Sequence, residues 1–361
     1  MRLLIVTQKI DERDAVLGFM HGWVAEFARQ TEQVSVICLE KGEVNLPENV
    51  GVFSLGKERL KIKDLRFKLG RQILYAWRFV RYIVQMRNRY DAVFVHMNPE
   101  YVVLGGLLWK LWGKTVSLWY AHKSTPWHLR VALLFIDVVF TSTASGFRLP
   151  SKKVKVVGQG IDVEKFKNQK SKIKNGEGEF RIVTVGRITP SKDYETLINA
   201  VAFVQKNSNL KVRVDIFGPT SGLADKGYRE TLLKEIRQKN LNDTITFGGP
   251  VANIELPDLL GVYDLFVNMG QTGSLDKAVP EAMAVGLPVL TCNEAFKEVL
   301  GPFRADLMYT KKDAEALGRK VLKVASLSIE DRQALGIELR SIVVRNHSLQ
   351  SFIKKIIFAI R

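Results

Sequence analysis

Short apolar runs separated by longer amphipathic stretches recur along nearly the whole chain, and no other feature restricts the fold so strongly. Runs rich in Val, Ile, Leu and Phe suit strands buried on both faces, and the stretches between them suit helices covering such a sheet. In the first half the predicted strands are Leu3 to Thr7, Val34 to Leu39, Ala92 to His96, Val116 to Trp119, Val138 to Thr141 and Val154 to Val157. Helices are predicted over Gly18 to Gln30 and Gly70 to Arg89. After Asp162 the sequence KFKNQKSKIKNGEGEF loses apolar periodicity and reads as a linker. A second series follows with strands at Arg181 to Val185, Val212 to Phe217, Thr244 to Phe247, Leu265 to Asn268 and Val289 to Thr291. The pattern is α/β, with doubly wound parallel sheets in two Rossmann-like domains, residues 1–165 and 166–345. The closing segment, 346–361, carries Phe352, Ile356, Ile357 and Ile360 as an amphipathic helix expected to pack back on the first domain.

With 361 residues, 46% of them hydrophobic, the chain can bury sizeable cores. The apolar run Leu3 to Val6 is too short for a secretory signal, so no export signal is expected. Val131 to Phe140, interrupted by Asp137, falls far short of the roughly 20 residues of a membrane span. Cys38 and Cys292 lie far apart in strand-like settings, which argues against a disulfide framework and for a reducing cytoplasm. Fifty-four Lys and Arg against 37 Asp and Glu give a net charge of +17, so an acidic partner is expected: nucleic acid, anionic lipid or a phosphorylated substrate. The excess is concentrated in Lys57 to Tyr90, where eleven cations meet only Glu58 and Asp64. Leu60, Ile62, Leu65, Phe67, Leu69, Leu74, Trp77, Phe79, Tyr82 and Ile83 interleave with them. This arm reads either as an amphipathic surface lying on anionic lipid or as a packed helix with a solvated basic face.

Ligands of such sheets bind beyond the carboxyl ends of the strands, so the loops there are the candidates for chemistry. In VGRITPSKDYETLINAV, Arg187 and Lys192 bracket a Thr-Pro-Ser turn, and Ser191 or Asp193 is placed to cap the next helix. Two such cations can close around a diphosphate; the alternative is a solvated turn. In TGSLDKAVPEAMAVGLPVL, Pro280 suits the first helical position. The amides of Gly273, Ser274 and Leu275 ahead of it would face an anion at the positive helix end. Glu281 would repel a phosphate there, turn aside and accept hydrogen bonds from neutral hydroxyls such as those of a ribose. The alternative is a plain helix start with a favourable acid.

Taken together, VGRITPSKDYETLI and EAMAVGLPV, with the glycine-bearing loop near Gly18, YAHKS at 120–124, GQGIDVEKF at 158–166 and FGGPV at 247–251, resemble the retaining glycosyltransferases of family 4. The second half matches specifically and the first loosely. The resemblance implies the GT-B fold, two Rossmann-like domains facing across a cleft that closes on a nucleotide-sugar donor. It implies that Arg187 and Lys192 neutralise the departing diphosphate beside Gly186 and Gly218, that Glu281 holds the ribose, and that Gly249, Pro250 and Val251 meet the base. It further implies that His122 lies over the donor sugar and that Gly18 lets the first loop approach the phosphates. The family usually carries a second glutamate eight positions before this one, where this chain has Gly273. Asp276 is the nearest replacement for sugar contact, with Lys277 beside it to hold phosphate or sugar; alternatively Asp276 caps the helix.

By resemblance the sugar is transferred with retention, through front-face attack in which the departing phosphate helps take the acceptor proton. With no Asp-x-Asp motif and no ligand spacing among His21, His96, His122, His128 and His347, neither a metal nor another cofactor is expected. The first domain would receive the acceptor, a glycan or a lipid-linked sugar such as a polyprenyl-phosphate sugar. Its candidate contacts are Asp11, Glu12 and Asp14 of the first loop, which equally well solvate it, and His96, Asn98 and Glu100 of HMNPEY. The expected function is hexose transfer from a UDP- or GDP-type donor in cell-surface polysaccharide or glycolipid synthesis. The expected location is cytoplasmic, with peripheral attachment to an anionic membrane face. Alternatives are a sugar phosphorylase or epimerase on the same fold, or a catalytically silent membrane or nucleic-acid binding protein. Nucleic acid is disfavoured because no DNA- or RNA-binding module is recognised. Donor base, sugar, acceptor and oligomeric state stay open.

Overall fold

The computed structural model describes residues 1–59, 68–167, 178–270 and 273–361. Leu60, Ile62, Leu65 and Phe67 of the basic arm, residues 168–177 of the linker and Thr272 of the TGSLDK loop lie outside the described residues. The chain divides into two compact units, Met1–Gly160 with Leu349–Arg361, and Ile161–Ser348.

The first unit runs β1 (Arg2–Ile10), α1 (Phe19–Gln30), β2 (Gln33–Lys41), β3 (Val50–Ser54), α2 (Lys68–Gln85), β4 (Ala92–His96), α3 (Pro99–Leu111), β5 (Thr115–Trp119), α4 (Trp127–Ala132), β6 (Val138–Thr141) and β7 (Val154–Val156). Its seven strands are parallel in the order β3-β2-β1-β4-β5-β6-β7. The helices α2, α3 and α4 cover one face through Phe79, Ile83, Val102, Trp109 and Leu129. The other face is covered by α1 and the helix Leu349–Ile360, through Trp23, Phe27, Phe352, Ile353 and Ile356. Each such side chain, fully withdrawn from water, stabilises the unit by roughly 1.5–3 kcal/mol.

The second unit runs β8 (Glu179–Val185), α5 (Tyr194–Asn207), β9 (Lys211–Phe217), α6 (Leu223–Gln238), β10 (Ile245–Gly249), α7 (Leu256–Leu260), β11 (Leu265–Asn268), α8 (Ala278–Ala284), β12 (Val289–Thr291), α9 (Phe296–Leu300), α10 (Arg304–Leu307), α11 (Ala314–Ala325) and α12 (Ile329–His347), after which Leu349–Ile360 is α13. Its parallel strands lie in the order β10-β9-β8-β11-β12. The winding therefore reverses between β8 and β11, the position at which sheets of this kind bind ligands beyond the carboxyl ends of their strands.

Three local expectations are corrected. β3 is an additional strand: it lies at the sheet edge, contains Gly51 and buries none of its five residues fully, so no apolar run marks it. The helix after β8 begins at Tyr194, beyond a single 3-10 turn, Pro190–Lys192 that contains Ser191. Asp193 does stand at its N-cap position, but with φ 52° its carboxylate accepts from the Thr196 hydroxyl (2.9 Å) and caps no backbone N–H. Pro280 is the third residue of α8, not the first. The first four N–H groups of a helix have no partner within it, so proline costs nothing there either.

Candidate functional site

In the second unit, the loop after β8 is held by close backbone contact. A Cβ on Gly218 would stand 1.9 Å from the Gly186 carbonyl oxygen, and Gly218 has φ +151°, so only glycine fits. The same carbonyl accepts from the Tyr194 hydroxyl at 3.0 Å, and the Gly218 N–H donates to Gly249 (2.8 Å). Arg187 follows directly and is exposed, with no side-chain hydrogen bond or ion pair to the described residues. It is a cation available to an external anion.

Lys192 and Asp276 are mostly buried, 15% and 14% exposed, and form an ion pair. The Asp276 carboxylate also accepts from the Asn268 amide (2.9 Å), and the Asn268 carbonyl oxygen accepts from the Thr291 hydroxyl (3.0 Å). The ends of β11 and β12 thus fix Asp276, and Asp276 fixes Lys192. The Asp276 side chain does not cap α8, which has no side-chain cap hydrogen bond. Gly273 is buried with φ +65°, a left-handed conformation that disfavours any L side chain by roughly 1–2 kcal/mol. A glutamate at this position would be strained, which is a physical reason for its replacement. Ser274 and Leu275 are buried too, and the Ser274 carbonyl accepts from the Asn293 amide (2.8 Å), so these residues anchor the loop.

Glu281 on α8 is 5% exposed. Burial holds its carboxyl above the usual range, against the opposing fields of Lys277 and Lys165 and a hydrogen bond from the Asn253 amide (3.4 Å). Lys277 is pushed down by burial to about 8, although Glu281 draws it the other way. Lys165, unremarked in the sequence, donates from Nζ to both the backbone oxygen (2.6 Å) and side-chain oxygen (2.8 Å) of Asn253. With its oxygen so engaged, the Asn253 amide presents its NH2 to Glu281 and keeps that carboxylate an acceptor. Pro250 is exposed and Val251 half-buried in the adjoining segment, with Gly249 at φ +77°. A linked set of cations around one buried carboxylate suits a ligand that carries both a diphosphate and a neutral diol.

In the first unit, the sequence candidates separate into engaged and open groups. The His122 Nδ1 accepts from the Ser124 N–H (3.0 Å), so the neutral ring carries its proton on Nε2; burial and Lys123 lower its pKa. Gly18 precedes α1 with φ −56°, open to any residue, so its conformation does not demand glycine. Asp14 accepts from the N–H groups of Val16 (2.9 Å) and Leu17 (2.7 Å) and pairs with Lys9 (2.7 Å), which also binds Asp11 and Glu40. His96 is buried among Phe19, Trp23 and Trp119, and Glu100 pairs with His128 at 3.1 Å. Asn98 stands at the start of α3, after Met97 at φ +61°, an uncommon conformation outside glycine.

Residues 165–341 match the family model described as glycosyl transferases group 1, a stretch that contains every second-unit residue of the site described above. Mannosylfructose-phosphate synthase of Agrobacterium fabrum is 25% identical over 144 residues, 39% of this chain and 32% of the relative. A GDP-mannose-dependent α-(1-6)-phosphatidylinositol monomannoside mannosyltransferase of Mycobacterium tuberculosis is 24% identical over 194 residues, 50% of this chain and 47% of the relative. The matches thus span a third to a half of the curated relatives' length. Among solved structures, Anabaena HepE in complex with UDP and glucose superposes with a TM-score of 0.76 at 17% identity, covering 99% of this chain and 98% of that one. Sucrose-phosphate synthase from Thermosynechococcus elongatus gives 0.79 at 14% identity, covering 99% and 97%. The chain therefore has the GT-B glycosyltransferase fold and, over residues 165–341, a domain that matches the group 1 glycosyl transferases.

Proposed function

We propose that the protein is a retaining glycosyltransferase that moves a hexose-type sugar from a nucleoside-diphosphate sugar to a glycan or lipid-linked acceptor, with no metal ion required. The observation that carries this reading is the set at the carboxyl edge of the second sheet: Arg187, unpartnered among the described residues, the Lys192–Asp276 pair, and buried Glu281 with Lys277 and Lys165. The relatives support it, since HepE was solved with UDP and glucose and a curated relative is named for GDP-mannose.

In this reading the bond from the anomeric carbon to the phosphate oxygen breaks, and the acceptor oxygen bonds to that carbon on the same face. The acceptor proton passes to the departing phosphate. Arg187 and Lys192 meet the charge that develops on the leaving group, already oriented by their loops before the reaction starts. Asp276 shares Lys192 with the diphosphate and offers its second oxygen to a sugar hydroxyl. Glu281, kept an acceptor by Asn253, takes the ribose hydroxyls. Among the described residues no three His, Cys, Asp or Glu side chains group to hold a metal ion.

The test is incubation with UDP- and GDP-hexoses and candidate acceptors, following nucleoside diphosphate release and the anomeric configuration of the product by NMR. Release that depends on acceptor, survives a chelator and leaves the donor's configuration intact is expected. Sugar formation only from sugar plus inorganic phosphate would identify a phosphorylase instead, and conversion of the donor alone an epimerase.

A further inference from the structure

The outer face of the first unit carries apolar side chains that its core leaves uncovered. On α2, Leu69, Ile73 and Trp77 recur every four residues and are 69%, 62% and 57% exposed. On α3, Leu104, Leu107 and Leu111 form the same kind of stripe. Trp127 opens α4 with 71% exposure, and Leu134 lies just beyond its end. These helices are neighbours: α2 packs on α3 and α3 on α4, and all three send their buried sides to one face of the sheet. Their opposite sides therefore form one outward surface. Monomeric proteins seldom leave so many large apolar side chains on adjacent helices without a partner.

The charge on these helices is mainly positive. They contain Arg71, Arg78, Arg81, Lys110 and Arg130 against a single acid, Glu100, which is paired with His128, while Lys110 is paired with Asp137. The Arg81 guanidinium stands over the Trp77 ring, 5.4 Å from its centroid, and Arg87 and Arg89 follow the helix. Apolar side chains with a cationic fringe fit a surface that is apolar inside and anionic at its boundary. A nucleic acid would leave Leu69, Ile73, Leu107 and Leu111 without an apolar partner, and a second copy of this face would bring like charges together.

We propose that the outer face of α2, α3 and α4 docks on an anionic lipid bilayer, with Trp77 and Trp127 at the headgroup level and the leucine and isoleucine stripe against the acyl chains. No helix among the described residues is long and apolar enough to cross a membrane, and the docking proposed is peripheral and reversible. The proposal is independent of the donor-site reading: it concerns another unit and another set of residues.

Cosedimentation of the full chain with phosphatidylcholine vesicles, with and without phosphatidylglycerol, tests it. Binding to the anionic vesicles alone is expected, weakened by salt, with tryptophan emission quenched by brominated lipid. Ile73→Asp with Leu107→Asp should weaken partition by roughly tenfold or more, and Trp77→Phe with Trp127→Phe should remove most of the quenching while buried Trp23, Trp109 and Trp119 stay shielded. All four positions are at the surface, and circular dichroism checks that the variants fold. Equal binding to both vesicle types, or binding to neither, would overturn the proposal. So would a dimer in solution that Ile73→Asp dissociates, or a salt-dependent shift with generic DNA in the absence of vesicle binding.

Discussion

Lys165 can govern Glu281, the residue proposed to hold the ribose, without touching the ligand itself. By holding both oxygens of Asn253 it sets the orientation of the amide that faces Glu281. Lys165→Met is expected to weaken nucleoside diphosphate binding about tenfold, the worth of one hydrogen bond to a charged group. Calorimetry with a ribonucleotide and its 2′-deoxy analogue checks this, because the variant should lose the preference for the ribonucleotide as well as affinity. Lys277 gives a pH signature. Burial lowers its pKa to about 8, and a bound diphosphate would raise it again. Below that pH the ammonium is already charged and affinity is full; above it, binding must take up a proton, and affinity should fall by up to about tenfold per pH unit. Binding heats that vary with buffer ionisation above pH 8 would show the uptake, and heats independent of buffer would contradict it. Arg187, Lys192 and Glu281 were legible as candidates in the sequence because each sits in a short motif beside a strand end. The partners of Lys165 and Asp276 were not, since Asn253 lies 88 residues from the first and Lys192 84 from the second.

At the level of elements, α8 owes its position to a backbone contact with α12. A Cβ on Gly336 would stand 1.9 Å from the Gly286 carbonyl oxygen, and Gly286 ends α8 at φ +82°. Gly336→Ala must separate the two helices, and is expected to cost the second unit ~1–3 kcal/mol, read by denaturant unfolding. Because α8 carries Glu281, nucleotide affinity should fall in the same variant; unchanged unfolding and affinity would show that the helices part freely. Strands β4, β6, β11 and β12 end where their apolar runs end, which is why their bounds could be read from sequence. β3 could not, because an edge strand with no fully buried residue leaves no such run. The basic arm was ambiguous for a related reason: Phe79 and Ile83 point into the core while Leu69, Ile73 and Trp77 point out, so apolar residues occupy both sides of one helix.

For the molecule as a whole, alternation of strand and helix was enough to announce two doubly wound units, since every parallel strand needs a crossover and every crossover a helix. The net charge of +17 leads one to expect an acidic partner without saying where; the structure adds that cations gather around buried Glu281 in the second unit and along the outer helices of the first. Thermal unfolding of wild type and Arg187→Ala with UDP, GDP, ADP and TDP, each with and without magnesium, shows whether the second unit binds a nucleoside diphosphate through Arg187 and its neighbours. A ligand that binds only the folded state stabilises it by about 2.7 kcal/mol at a hundredfold excess over its Kd. Stabilisation of wild type by one diphosphate, unchanged without magnesium and lost in Arg187→Ala, is the expected result. No stabilisation by any of the four would mean that this edge of the second unit is an empty scaffold.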